Sequence, residues 1–215
     1  MIIEKLNAIR EPRQAAGKNI FFYAVGSLIL GILLGIFSKW LDSLALDRTI
    51  WWHRMLERLD LGNFFSEMAV WLLLALVIAV FSSSAVTVAL NVFAFFAGMC
   101  AAYHLYSILF AGFNPSSYMM IWYAITLVSP VLAVLCWYAR GKGLLPILLD
   151  IGIMSVFTLS CFAIGFIYVD LRGILYLLVF IGAAAVLYRS PKQTAVSVPA
   201  GFLLAFLLNP LWPFK

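Results

Sequence analysis

The 215-residue chain is predicted to be an all-α membrane protein: a bundle of about seven transmembrane helices with one interfacial amphipathic helix, or six if the last apolar run only dips into the membrane. Three observations predict it. Hydrophobic residues make up 65% of the chain and the mean hydropathy is +1.06, whereas an ordinary soluble domain is roughly 45–50% apolar. Asp, Glu, Lys and Arg together reach 11%, less than half of the usual ~25%, too few to dress a water-facing surface. Apolar runs of about 20 residues, the length that crosses a bilayer, recur along the chain. Lipid is therefore the expected solvent. A secreted enzyme, a nucleic-acid-binding domain and a sizeable water-facing lobe are excluded.

Residues 1–18 read as a basic amphipathic arm, with Lys5, Arg10, Arg13 and Lys18 against Glu4 and Glu11. Ile2, Ile3, Leu6 and Ile9 have helical spacing, so the arm is expected along the membrane surface until Pro12 interrupts it. No cleavable signal peptide is expected, because the arm is polar and the run after it is too long for a signal core. Residues 19–215 form a single transmembrane domain.

Span one covers 19–38 and carries Ser27, Gly31 and Gly35 at four-residue intervals, a small-residue stripe that lets another helix approach closely. In the long connection that follows, Trp51, Trp52, Met55, Leu56 and Leu59 repeat at helical spacing, opposed by His53, Arg54, Glu57, Arg58 and Asp60. This predicts the interfacial helix over 48–61, with Asp47 or Thr49 as N-cap and Gly62 as its stop. Span two covers 64–81 and turns at Ser82-Ser83-Ser84 into span three, 85–110. Ala111 to Ser117 is a turn by its Gly, Asn and Pro content. Span four, 118–138, holds Pro130 as an expected kink. Span five runs 144–169 and span six 173–188. A last run, 194–214, is interrupted by Pro199, Pro210 and Pro213.

The formal charge of +5 fits cytoplasmic loops and anionic headgroups better than nucleic acid, since the basic residues are scattered over short connections. With seven spans, eight of the 14 basic residues fall on the side of the amino-terminal arm, including Arg140, Lys142, Arg189 and Lys192. The other six are partly offset by Asp42, Asp47, Glu57 and Asp60. The amino terminus is therefore expected in the cytoplasm.

Candidate chemistry lies where a polar group interrupts hydrocarbon, at a cost of at least about 2.5–3.5 kcal/mol for a charge. Asp150, within LLPILLDIGIMSVF, is either a functional carboxylate or a residue at the headgroup boundary, because 151–169 alone would span the membrane. Asn91 in span three must find a partner. Trp122 of span four, with Thr126 and Asn91, is a conceivable lining for a solute pocket. Glu67 reads as a helix N-cap, Asp170 and Arg172 as a pair capping a bend, and His104 and His53 as interface residues. Cys100, Cys136 and Cys161 sit inside apolar runs without metal spacing and read as small hydrophobes. The chain has no P-loop, HExxH or GxSxG motif, and two histidines without clustered carboxylates predict neither metal nor cofactor. These absences weigh against an enzyme.

The segments LDLGNFFS (59–66), ALNVFAFFAGM (89–99), SYMMIWYAITLVSP (117–130), CWYARGKG (136–143) and LYRSPKQT (187–194) resemble those of a family of small bacterial polytopic integral membrane proteins of uncharacterised function. The resemblance implies a bacterial plasma membrane and carries over no functional residue. In size and span count the chain is also similar to the substrate-binding subunits of energy-coupling-factor vitamin transporters, which dock through a small-residue helix; one span more than theirs is a departure.

The expected function is a small-solute binding or transport component, with Asn91, Trp122 and Asp150 as its interior polar site. Its expected partners are the bilayer and a membrane protein or second copy seated on Ser27, Gly31 and Gly35. Two alternatives come from other classes. One is a membrane enzyme acting on a lipid at the outer interface through His53 and the acidic residues of the long connection. The other is a structural or regulatory subunit held to its partner by the Gly31/Gly35 face.

Overall fold

A computed structural model describes residues 2–12, 17–165 and 167–212. Arg13 and Pro213, each given a part in the expectations above, lie outside them, as do Phe166 of expected span five and Phe214 of the last run. Ten α-helices occur among the described residues: α1 (Ile2–Ile9), α2 (Gly17–Asp42), α3 (Trp51–Arg58), α4 (Leu61–Ser66), α5 (Met68–Phe81), α6 (Ala85–Leu109), α7 (Ser116–Ala139), α8 (Leu144–Cys161), α9 (Ile174–Leu187) and α10 (Pro191–Leu208). The described residues are all-α but for one antiparallel hairpin, β1 (Phe162–Ile164) with β2 (Val169–Leu171), in register Phe162 to Leu171.

Among the described residues five helices are long and apolar enough to cross a membrane: α2, α6, α7, α8 and α10 with the 3-10 turn that extends it. The expected count of seven is not reached on length, because α5 and α9 are apolar but have 14 residues each. At 1.5 Å per residue each rises about 21 Å against a hydrocarbon core of ~30 Å. The chain is a multi-pass helical membrane protein with five full-length helices and two short ones.

The reason for each shortfall is local. Expected span two is cut at Glu67, whose extended backbone (φ −93, ψ 168) separates α4 from α5. Expected span five ends at Cys161 rather than 169, where FAI (162–164) and VDL (169–171) form the strands of the hairpin instead. A short apolar run rich in β-branched and aromatic residues around a glycine fits helix or strand equally by periodicity, and here the strand wins.

The interfacial helix also differs from expectation. It is two helices, α3 and α4, divided by Asp60 in the left-handed region (φ 50), a conformation Asp tolerates better than most residues. Gly62 lies inside α4 and stops nothing. The N-cap position of α3 is Ile50, and Asp47 instead folds the turn before it, its Oδ1 accepting from the Thr49 N–H and hydroxyl at 2.8 Å each. Those two bonds hold the Asp47 carboxyl below the usual carboxylate range. Trp51, Trp52 and Met55 remain exposed, the outward face expected of a helix lying in the headgroup layer.

Prolines interrupt less than their sequence positions suggest. Pro130 lies within α7 and Pro199 within α10, whereas Pro210 falls in the 3-10 turn Asn209–Leu211, and Pro12 and Pro115 lie outside α-helix. Neighbouring helices offset the lost backbone bond in apolar surroundings. Pro191 opens α10, and the Ser190 hydroxyl accepts from the Gln193 N–H at 3.2 Å.

Packing is organised about α5. One side of it joins a core with α6 and α7 that includes Trp71, Phe95, Phe96, Trp122 and Trp137. The other joins α8 and α9 through Leu76, Val80, Phe157, Val179 and Phe180. α2 flanks the bundle and exposes Phe21, Phe22 and Leu33, as a lipid-facing helix does. Its Gly31 and Gly35 lie against α6: a Cβ at Gly31 would collide with the Phe95 carbonyl oxygen, and one at Gly35 would stand 2.5 Å from that of Met99. Gly98 of α6 closes the same seam against the backbone of Leu28 and Ile32, and Ser27 is half-buried beside it. The face expected to seat a partner or second copy is thus covered by α6 of the same chain.

The chain ends define two sides. On the arm side, Arg10 donates from Nη1 to the Trp137 carbonyl (2.5 Å) and from Nη2 to that of Val80 (2.8 Å), capping the carboxyl ends of α7 and α5. The Ile9 carbonyl accepts from the Lys142 N–H at 2.7 Å. The arm is therefore docked on the helix ends through these contacts. The far side carries α3, α4, the hairpin and the turn after α6.

Candidate functional site

The three residues expected to form one polar site occupy three places. Asp150 is fully buried, six residues into α8 from the arm side. Its Oδ2 accepts from Arg189 Nη2 and Gln193 Nε2, both at 2.6 Å, and Arg189 Nη1 donates to the Gly141 carbonyl at 2.6 Å. Gln193 Nε2 also donates to the Ser197 hydroxyl at 3.1 Å. This network ties α8, α10 and the turn at 140–143 together. It explains how a carboxylate survives in an apolar helix: the cation arrives from 39 residues away, at the α9–α10 connection.

Asn91 lies near the arm side of α6. Its Nδ2 donates to the Ser82 hydroxyl at 3.2 Å, while its buried Oδ1 has no partner. The Ser82 carbonyl in turn accepts from Trp137 Nε1 at 2.9 Å. Trp122 lies at the opposite end of the bundle, six residues into α7 from the far side, with its ring 6.4 Å from that of Trp71. Thr126 donates to the Trp122 carbonyl at 2.8 Å and lies with neither Asn91 nor Asp150.

Trp122 borders a polar cleft at the far side of the bundle. Ser66, Glu67, Met68, Tyr118, Ile121, Trp122, Ser160, Arg172 and Trp212 line this half-open cleft of about 200 Å³. The cleft exists because α5 and α9 begin late. Non-helical backbone at membrane depth is tolerated where it lines a cavity or is buried in protein, and the Glu67 break and the hairpin's return strand supply it here.

Glu67 occupies the N-cap position of α5 but makes no side-chain cap bond. The capping role expected for it is corrected accordingly. Its Oε2 accepts instead from Arg172 Nη1 at 3.0 Å, across 105 residues. The expected Asp170–Arg172 pair is likewise absent: Asp170 Oδ1 accepts from the Leu171 N–H at 2.9 Å. Arg172 keeps a buried Nε with no partner, although its side chain is 24% exposed overall. Tyr118 closes one wall by donating to the Ser66 carbonyl at 2.8 Å. An ion pair, a spare guanidinium donor and an indole wall can seat a small polar or zwitterionic group. Glu67 and Arg172 were each legible as charged residues near a helix end; their meeting was not, because nothing local links positions 67 and 172.

The other polar residues are engaged elsewhere. His53 is buried, and its Nδ1 accepts from the Asp47 N–H at 2.7 Å. The acidic residues near it are paired too: Asp42 with Lys39 at 2.5 Å, Glu57 with Arg48 at 2.5 Å and Asp60 with the Asn63 amide at 3.0 Å. His104 contacts the Tyr123 hydroxyl and the Asn114 Oδ1, the latter at 3.0 Å. Among the described residues no three His, Cys, Asp or Glu side chains gather as a metal site, and the three cysteines are free thiols.

Fold and cleft together define a multi-pass helical membrane protein with a polar recess at one surface. No protein-family model matches the chain, and neither a curated protein nor a solved structure is detectably similar to it. The two resemblances read from the sequence consequently assign no residue a role.

Proposed function

We propose that the protein is a small-solute binding component of a membrane, acting without catalysis, and that its solute sits in the cleft between Glu67, Arg172 and Trp122. The single observation that carries this reading is the recess of about 200 Å³ lined by a partly exposed Glu67–Arg172 ion pair. A solute with an anionic group would meet the Arg172 guanidinium, and a cationic group beside it would face Glu67. Transport through the bundle would need a further partner or a rearrangement, because Trp71, Phe95 and Trp137 fill the interior between the cleft and the arm side. The lipid-enzyme alternative has less support, since His53 and its acidic neighbours are already paired within the chain.

The membrane is proposed to be a bacterial plasma membrane, with the arm in the cytoplasm and the cleft facing out. The excess of basic residues on the arm side supports this orientation, and the family resemblance supports the bacterial setting.

Titrating the purified protein in detergent with phosphoethanolamine, a zwitterion of suitable size, tests the reading by calorimetry. Saturable binding is expected, with affinity lowered roughly tenfold or more by Arg172→Gln, the loss of a charge-assisted bond. Absence of binding by this probe and by other zwitterions of its size, or identical binding by the variant at equal thermal stability, overturns it.

A further inference from the structure

We infer that the solute is the headgroup of a membrane phospholipid, one of whose chains lies in an apolar groove directly beneath the cleft. The inference rests on the proposed binding site and specifies its ligand class.

The groove runs between α5, α7 and α8 with α6 behind it, and encloses about 300 Å³. It begins one helical turn below the cleft on all three helices. Met68 of the cleft gives way to Leu72 on α5, Ile121 to Ile125 on α7, and Ser160 to Val156 on α8. Residues four apart share a helix face, so the polar recess and the apolar groove are stacked on one continuous seam. Apart from Ser129, the groove is lined by apolar side chains and Gly152. The Ser129 hydroxyl donates to the Thr126 carbonyl at 2.8 Å, leaving the groove without an unpaired side-chain donor. Water gains nothing there, and hydrocarbon does.

Three features commit the occupant to a lipid of the far-side leaflet. The stretch of α8 along the groove, from Phe157 to Leu148, rises about 14 Å, close to half of a ~30 Å hydrocarbon core, the reach of one lipid tail. The rim is open to the bilayer at both ends, with Ile121 where the groove meets the cleft 47% exposed and Leu132, Leu135 and Leu148 toward the arm side 43–55% exposed, so a chain can enter sideways from the bilayer. The Glu67–Arg172 pair stands at the far-side end, where a headgroup belongs. Phosphate is the natural partner for the Arg172 guanidinium, and the ammonium of a phosphoethanolamine head for Glu67.

Gly152 supplies a means of closing the groove without disturbing the fold. It lines the groove, and a Cβ built on it meets nothing within 4 Å, so Gly152→Leu fills empty space and removes a helix-interior glycine.

The experiment measures binding of 1-acyl phosphatidylethanolamines of increasing chain length, and of phosphoethanolamine, to the delipidated full chain in detergent by native mass spectrometry. Affinity is expected to rise with chain length and then level off once the groove is full. Gly152→Leu is expected to weaken the long-chain lipid by roughly tenfold or more while leaving phosphoethanolamine binding unchanged. Arg172→Gln is expected to weaken both. If phosphoethanolamine binds and chain length adds nothing, the lipid inference falls and the small-solute site stands. If the chains bind equally well in wild type and in Arg172→Gln, the groove takes annular hydrocarbon only, and both fall. The wild-type chain series decides the matter should Gly152→Leu not fold.

Discussion

A fully buried carboxylate is tolerable only with its counter-charge in place, and Asp150 depends on one guanidinium and one amide. Removing half of a buried ion pair typically costs about 3–5 kcal/mol, because the remaining charge is stranded. Asp150→Asn should therefore lower the thermal midpoint in detergent markedly, and the double variant Asp150→Asn with Arg189→Gln should recover part of the loss. Equal stability of the single variant and the wild type would mean that the pair is dispensable. Asp150 was visible in the sequence as an anomaly, a charge amid LLPILLDIGIMSVF. Its meaning was not, because Arg189 stood in what read as a short basic turn. Glu67 carries the same lesson in reverse: its position before a helix made capping the economical reading, and only the hairpin's return brings Arg172 within 3.0 Å of it.

Among the elements, the α2–α6 seam is the closest backbone approach described. Gly31, Gly35 and Gly98 let two helices meet where any Cβ would strike a carbonyl or amide of the other. Gly98→Leu should force α2 away, with a loss of about 1–3 kcal/mol typical of overpacking, whereas Gly26→Leu, with nothing within 4 Å of its Cβ, should leave the unfolding temperature unchanged. Similar losses for both would show that the seam is not tight. The four-residue spacing of Ser27, Gly31 and Gly35 announced a close contact but not whose helix would make it. The long helices were legible throughout, since composition and length suffice for them. The hairpin and the division of the interfacial helix were not. Both turn on short segments whose periodicity is ambiguous and whose conformation tertiary contacts select.

For the molecule as a whole, sidedness is the property that organises the rest. Arg10, Lys142 and Arg189 engage one end of the bundle, and Glu67, Arg172 and the hairpin the other. On a background lacking the three native cysteines, Glu11→Cys should react with an impermeant maleimide only after the cells are opened, and Ser117→Cys should react in intact cells. The reverse pattern would invert the proposed orientation and turn the cleft toward the cytoplasm.

The brevity of α9 bears on the lipid around the protein. Ile174, Leu178 and Ile181 face outward on a helix about 21 Å long, some 9 Å short of an average hydrocarbon core. Thinning of the bilayer is one way to meet such a shortfall, at a cost of fractions of a kcal/mol per ångström. Thinning at this flank would lower the surrounding phosphates toward Arg172, and so favour the headgroup binding proposed for the recess.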